Sequence, residues 1–377
     1  MKSLSFVSCY LSIHQVPICD ELYKRLGNNF HYISTEKISE TRLENGYSDL
    51  DSKYPYVVKA YENEEKALSI ADNCDVLLIG SAPDRYVEKR LKKNKLTFRC
   101  SERFYKGGYS IKKLPHDIIS SWIHHKRFCN KPLYMLCASA YTAADCKRFG
   151  NYKGKLYKWG YFPAFIEYDL DALFELKKAN EYITILWTGR LIGLKHPEIA
   201  INLAKYLKSH CIPFSLNIVG GGEMANDLKK KISDYNLTEC VKILGVKTPD
   251  EVRKYMEKAD IFLFTSDYNE GWGAVVNEAM NSACAVVACD AAGSVPFLIK
   301  NKENGLVFSV GEQEHVNELV EHLILHNNFR MQMGKQAYET ICKTWNAKVA
   351  ADRLIELIND LPDSNTKFLE GPCSLAT

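Results

Sequence analysis

Two α/β domains, each built on a doubly wound parallel sheet, are the fold this sequence predicts. Three observations lead there. Short apolar runs alternate with amphipathic stretches along all 377 residues. The runs are near-continuous in apolar character, as in strands covered on both faces. The alternation happens twice, which suits this length when one domain takes roughly 150 residues.

Taken in order, the first half offers strands at 4–9, 30–34, 75–80, 96–100 and 133–139. Helix-like spacing with charged faces fills 62–73 and 84–94 between them. Lys2 is followed by 17 residues without formal charge, which imitates a secretion signal. His14, Gln15 and Pro17 interrupt that run, so a strand leading into a helix near Pro17 is the reading adopted. The second half offers strands at 183–189, 214–220, 241–245, 261–266, 285–289 and 305–308, separated by helices near 197–210, 223–236, 249–258 and 274–283. Domain limits follow: an N-terminal domain over 1–163, a mixed and charged linker over 164–180, and a second domain over 181–345. A C-terminal helix over 346–362 packs back toward the first domain, and a frayed tail covers 363–377, where Pro, Gly and Ser collect. Sheets facing each other across a cleft would hold ligands at the carboxyl ends of their strands.

Composition narrows the function. With 46% hydrophobic and 25% charged residues, a disordered chain, a coiled coil and a collagen are excluded. The net charge of +3 hides an asymmetry: residues 1–160 carry 27 basic and 17 acidic side chains, the remainder 22 and 29. Between Arg85 and Lys131 there are 14 Lys or Arg against 3 acidic residues, interleaved with aromatics. Such a stretch suits an anionic membrane surface, each cation adding roughly 1 kcal/mol near it. A solvated face is the plainer alternative. Thirteen cysteines without a C-x-x-C pair read as reduced thiols in a cytoplasmic protein, and neither a disulfide framework nor a metal site is expected. No apolar run of about 18 residues occurs, so attachment to a membrane would be peripheral.

Three segments carry chemistry, each just after a strand. In Gly189-Arg190-Leu191-Ile192-Gly193-Leu194-Lys195, Arg190 brings a planar fork of donors and Lys195 a mobile point charge, which together suit a diphosphate. Two solvated cations before a helix are the alternative. Gly220-Gly221-Gly222 is either a plain loop or a place where backbone approaches a phosphate. In Glu270-Gly271-Trp272-Gly273, a carboxylate stands beside two glycines before a helix that carries Glu278 eight positions on. Free N–H groups at a helix start favour an anion.

The shared order of these segments, with Leu244-Gly245, the run ADIFLFTS at 259–266, EGWGAVVNEAM at 270–280 and Asn304-Gly305, resembles the retaining glycosyltransferases of family 4, which have the GT-B fold. The resemblance is dense over 183–308 and slight over 1–163. It implies that Arg190 and Lys195 hold the donor's diphosphate, and that Glu270 holds donor-sugar hydroxyls with the N–H groups of Gly271, Trp272 and Gly273. It further implies that Glu278 takes the ribose hydroxyls while backbone near Val246 and Lys247 meets the base. Gly189, Gly221 and Gly222 would let backbone approach the donor. The donor would be a UDP- or GDP-sugar, no cofactor or metal would be required, and the acceptor would be a glycan or a lipid-linked molecule, as in making cell-surface polysaccharide or glycolipid.

Departures from the family occur. Ala283 and Ala285 replace its usual Gly and Pro, and packing variation is the expected meaning. Ser12-Ile13-His14-Gln15 replaces a Gly-Gly pair after the first strand, and Ser81 follows a middle strand where relatives often carry a His. On the acceptor side the candidates are His14, Ser81, Glu102 and Arg103. Competing readings are another GT-B enzyme (a nucleotide-sugar epimerase or a glycan phosphorylase), a glycoside hydrolase using paired carboxylates, and a basic nucleic-acid-binding module. The acidic second half speaks against nucleic acid as a partner.

Overall fold

Among the described residues, thirteen strands assemble into two parallel sheets, one in each of two units. The computed structural model describes residues 1–40, 48–106, 108, 112, 114–361 and 366–377. The first unit comprises Met1–Ala164 and Asn346–Thr377, the second Phe165–Trp345.

In the first unit the elements run β1 (Leu4–Ser8), α1 (Val16–Leu26), β2 (Phe30–Ser34), β3 (Val57–Lys59), α2 (Glu64–Asn73), β4 (Val76–Ile79), α3 (Arg85–Lys92), β5 (Thr97–Ser101), α4 (Leu114–His124), β6 (Leu133–Cys137), α5 (Thr142–Arg148) and β7 (Leu156–Lys158). The seven strands lie in the order β3-β2-β1-β4-β5-β6-β7, all parallel. Leu4 of β1 lies opposite Phe30 on one side and Val76 on the other. All five residues of β1 are buried, the mark of a strand covered on both faces.

The second unit opens with α6 (Leu170–Lys178). It continues through β8 (Thr184–Thr188), α7 (Glu198–Ser209), β9 (Ser215–Val219), α8 (Ala225–Asp234), β10 (Val241–Ile243), α9 (Pro249–Lys258), β11 (Ile261–Phe264), α10 (Val275–Asn281) and β12 (Ala285–Cys289). It closes with α11 (Val295–Leu298), β13 (Leu306–Phe308), α12 (Gln313–Leu325) and α13 (Asn327–Lys343). Its order is β10-β9-β8-β11-β12-β13. Numbered within the unit this is 3-2-1-4-5-6, the doubly wound order whose direction reverses between the first and fourth strands. Here those are β8 and β11. α9 starts on a capping box, Thr248 and Glu251 satisfying each other's backbone N–H groups. α14 (Ala347–Asp360) returns to the first unit, where Arg25 of α1 pairs with Asp352 at 2.7 Å.

Several expectations need correction. The stretch 164–180 is no simple linker: Asp169 caps α6, and Leu173 packs with Ala283 and Tyr338 in the second unit. α6 was hidden because its apolar face is narrow among many charges. Residue 362 of the expected C-terminal helix and residues 363–365 of the expected tail lie outside the described residues. The rest is not frayed. Cys373 and Ser374 are buried, Lys158 N–H donates to the Ser374 carbonyl at 2.7 Å, and Tyr157 bridges Leu375 in antiparallel fashion. The segment covers the open edge of β7. β3 and β7, three residues each at sheet edges, are too short to show a period.

The departure at Ala283 is also more than packing. Its backbone sits at φ +51°, the left-handed region that costs a non-glycine residue roughly 1–2 kcal/mol. The site is buried, so the strain is held by surrounding structure. Ala283→Gly should raise stability by about 0.5–1 kcal/mol in denaturant unfolding. A lower midpoint would show that the lost methyl's packing outweighs the relieved backbone.

Candidate functional site

At the reversal point of the second sheet, the loops after β8 and β11 are tied together. Thr265 Oγ accepts from Trp187 Nε1 at 2.9 Å and donates to the Lys195 carbonyl at 2.5 Å. Asp267 N–H donates to the Leu194 carbonyl at 3.0 Å. These bonds place a short 3₁₀ turn, Gly193–Lys195, against the Glu270 loop. Lys195 Nζ then forms an ion pair with Glu270, both side chains largely shielded from water. Arg190, earlier in the same loop, is exposed, and its side chain makes no hydrogen bond or ion pair among the described residues. The site thus holds one neutralised cation and one open one.

His196 follows in the left-handed conformation, φ +47°, with Nδ1 at 2.9 Å from Glu198 and Nε2 at 3.2 Å from Asp267. Partial burial lowers its pKa, but hydrogen bonds to the two carboxylates outweigh that and raise it above the ordinary value. His196, Thr265 and Asp267 brace the turn, and sequence reasoning passed over all three. Their only signal was position: each follows a strand end or flanks a cation already singled out.

The glycine triplet has a firm structural reason. Gly220 N–H donates to the Gly245 carbonyl at 2.9 Å, and the Gly221 carbonyl accepts from Leu191 N–H at 2.8 Å. A methyl on Gly220 would sit 1.8 Å from the Gly189 carbonyl oxygen, and one on Gly222 would sit 2.5 Å from that of Leu191. Both residues also take positive φ, +143° and +155°. The triplet therefore locks the β9 loop onto the turn that carries Arg190. Val246, after β10, is largely exposed beside Gly221, and Lys247 Nζ lies 4.0 Å from Glu251.

Beyond Glu270, Gly271, Trp272 and Gly273 are buried. The Trp272 side chain turns inward, its Nε1 donating to Asn277 at 2.8 Å and its ring packing near Phe297 and Trp345. Only its backbone is left for a ligand. Glu278 lies on α10, and burial pushes its carboxyl above the ordinary range while Arg253 of α9 pulls it back. Arg253 holds the helix from below: Nη1 donates to the Glu278 carbonyl at 3.1 Å and Nη2 stands 4.0 Å from the carboxylate. An arginine on the buried face of an amphipathic helix was the overlooked signal for it.

In the first unit, His14, Ser81, Glu102 and Arg103 all line one cavity of about 670 Å³ at the carboxyl ends of its strands. Tyr161 links two of them, stacking on His14 with centroids 6.5 Å apart and donating to Glu102 at 2.9 Å. Burial lowers the pKa of His14. Arg103 lies over the Tyr141 ring at 4.7 Å. His125 joins the lining and bonds the Tyr152 hydroxyl at 2.8 Å. Desolvation first, then Arg99 and His124, push its pKa down to about 3, against a smaller opposing pull from Asp84. No group of three His, Cys, Asp or Glu placed to hold a metal ion occurs among the described residues, and no helix there is long and apolar enough to cross a membrane.

These features define a class: a two-unit Rossmann-type protein with a loop carrying Arg190 and Lys195 at the reversal point of its second sheet. Over residues 171–340 the chain matches the family described as glycosyl transferases group 1. It is 28% identical over 187 residues to the amylovoran biosynthesis glycosyltransferase AmsK of Erwinia amylovora, covering 48% of this chain and 46% of that one. It is 24% identical over 145 residues to the lipopolysaccharide core biosynthesis glycosyltransferase LpsE of Rhizobium meliloti, covering 38% and 42%. The matched stretch thus spans under half the length of these curated relatives. Among solved structures, HepE of Anabaena in complex with UDP superposes with a TM-score of 0.72 at 14% identity, covering 96% of this chain and all of that one. That likeness establishes the fold, two Rossmann-like units of the GT-B type.

Two outcomes are expected. Gly220→Ala should cost about 3 kcal/mol or more in denaturant unfolding, because a backbone carbonyl must move to admit the methyl. Wild-type stability would show that the two loops part freely. His125 is neutral in the folded state and charges near pH 6.5 when unfolded, so its contribution is present above that pH and fades as pH falls toward 3. Between pH 7 and pH 5 the loss should be about 2 kcal/mol. His125→Phe should flatten that part of the stability profile, and an unchanged slope would refute the assignment.

Proposed function

We propose that this chain is a retaining glycosyltransferase of family 4. It moves a hexosyl group from a UDP- or GDP-linked sugar to a glycan or lipid-linked acceptor, in the making of cell-surface polysaccharide or glycolipid. It works in the cytoplasm, held peripherally on the inner face of the membrane. One observation carries the reading. At the reversal point of a doubly wound sheet, inside the segment that matches the family, an exposed Arg190 stands on the same loop as Lys195, whose partner is Glu270.

Transfer breaks the anomeric C–O bond, and its electron pair departs with the diphosphate. Arg190 and Lys195 would stabilise that growing negative charge more in the transition state than before it. An incoming diphosphate competes with Glu270 for Lys195. The released carboxylate then becomes an acceptor for donor-sugar hydroxyls, beside the N–H groups of Gly271, Trp272 and Gly273. Glu278 would receive the ribose hydroxyls; such bonds favour its ionised form and oppose the upward push of burial. Backbone at Val246 and Lys247 would meet the base, and backbone at Gly189, Gly221 and Gly222 would flank the donor. The reading asks for no cofactor. On the acceptor side, His14, Ser81, Glu102 and Arg103 are assigned to the cavity they share.

The test begins with thermal unfolding against a panel of nucleotide sugars. A donor at a hundredfold excess over its dissociation constant should add about 2.7 kcal/mol to stability. With the donor so identified, Arg190→Ala and Lys195→Ala should each slow transfer by about 10²–10³. Wild-type rates in both variants would defeat the diphosphate assignment.

A further inference from the structure

Helix α4 (Leu114–His124) is built inside out. At 100° per residue, Leu114, Pro115, Ile118, Ile119, Trp122 and Ile123 occupy one half of its circumference. His116, Asp117, Ser120, Ser121 and His124 occupy the other. The apolar half is the one facing solvent: Ile118 is 50% exposed, Ile119 59% and Trp122 58%. The polar half, His116 excepted, turns toward the protein. Ser121 is buried and accepts from Asn151 at 2.7 Å, His124 bonds Asp84 at 2.6 Å, and Asp117 and Ser120 line a polar hollow with Asp145. A globular helix normally does the reverse. A contiguous exposed face of this kind marks an interaction surface.

Charge names the occupant. The outward half carries no carboxylate. α3 lies next to α4 through the Asp84–His124 and Glu88–Arg127 pairs; on it Arg85 pairs with Glu64 and Lys89 with Asp72, while Lys92, and Lys93 just beyond its end, are exposed and form no ion pair among the described residues. Lys112 and Lys126, on either side of α4, are exposed as well. Residues 107, 109–111 and 113 of the basic stretch lie outside the described residues. Two of its cations serve the fold instead. Arg90 is fully buried and donates to the carbonyls of Cys74, Asp75 and Leu96, while Arg99 pairs with Asp84 at 2.7 Å. What remains is an apolar ridge with a tryptophan, bordered by cations, the chemistry of a helix lying in a bilayer interface. We infer that α4 inserts its Leu114–Ile118–Ile119–Trp122–Ile123 face into an anionic lipid bilayer, with α3 supplying the electrostatic attraction. The inference rests on the membrane reading proposed above and assigns it a surface. Its neighbour is the cavity of acceptor candidates, because His125 directly follows α4 and lines that cavity. A lipid-linked acceptor would therefore arrive beside its own headgroup layer.

The experiment uses the full chain, phosphatidylcholine vesicles with and without phosphatidylglycerol, and no sugar donor. Of the five tryptophans only Trp122 is exposed, the other four being buried to 3% or less. Quenching by lipids brominated in the acyl chain therefore reports Trp122 alone. The wild type should sediment with phosphatidylglycerol vesicles at moderate salt and be quenched, and Trp122→Phe should lose most of the quenching. Ile119→Ser and Trp122→Ser should each weaken binding about tenfold while keeping the wild-type melting temperature. Lys92→Glu combined with Lys93→Glu should weaken binding and reduce its salt dependence. If the wild type ignores anionic vesicles, this inference and the membrane reading fall together. If it binds but the apolar variants bind equally well and no quenching occurs, charge attraction stands and insertion by α4 is overturned. If, without lipid, the wild type is a dimer that the apolar variants convert to monomer, a second copy covers the face and the inference is likewise overturned.

Discussion

Lys195 and Glu270 are 75 positions apart and meet only because β8 and β11 are neighbours in the second sheet. Their ion pair organises the site around it. Both charges are largely withdrawn from water, which is costly for each alone and tolerable for the two together. Removing either partner would strand the other in a shielded place. An anionic ligand can take over Lys195 without that penalty, because it supplies the replacement charge itself. Under the proposed function the pair would work as a placeholder, keeping the lysine positioned and the carboxylate near it until a diphosphate arrives. Arg190, exposed on the same loop, would then be the point of first attraction.

Such a placeholder needs rigid walls, and contacts between backbones supply them. The β9 loop presses on the β8 loop at distances that leave no room for a Cβ at Gly220 or Gly222. Thr265 fastens the β11 loop to the same turn through one hydroxyl acting as donor and acceptor. Trp272 sinks inward to anchor the Glu270 loop from behind, so the backbone N–H groups of that loop keep a fixed aim. Under the proposed function, donors fixed in this way would need no rearrangement when charge develops.

The two units relate differently to known proteins, and the physical demands on them explain why. The family match lies within the second unit, where a turn, a glycine contact and an ion pair must all survive together. The first unit lies outside that match, and its fold is shared with a solved structure that covers 96% of the chain. Its sheet needs only apolar strands, which many residue combinations satisfy, and its cavity is lined by loops free to vary. Residues such as His14, Glu102 and Tyr161 are tied together there by stacking and a hydrogen bond.

Much was legible in the amino-acid sequence by itself. Strands such as β4 and β12 are continuous apolar runs whose burial on both faces follows from composition alone. Gly189, Arg190, Lys195, Glu270 and Glu278 announce themselves because each stands just after a strand or just inside the next helix. What tertiary structure decided is everything that depends on a partner distant in the chain. The pairing of Lys195 with Glu270, the bracing of Glu278 by Arg253 and the burial of the last residues along β7 leave no local trace. The left-handed strain at Ala283 is equally silent, since it is imposed by the packing around it. α4 shows the boundary most plainly: its amphipathic period is written in residues 114–124, but which half faces water is set by the protein it packs against, and periodicity carries no sign.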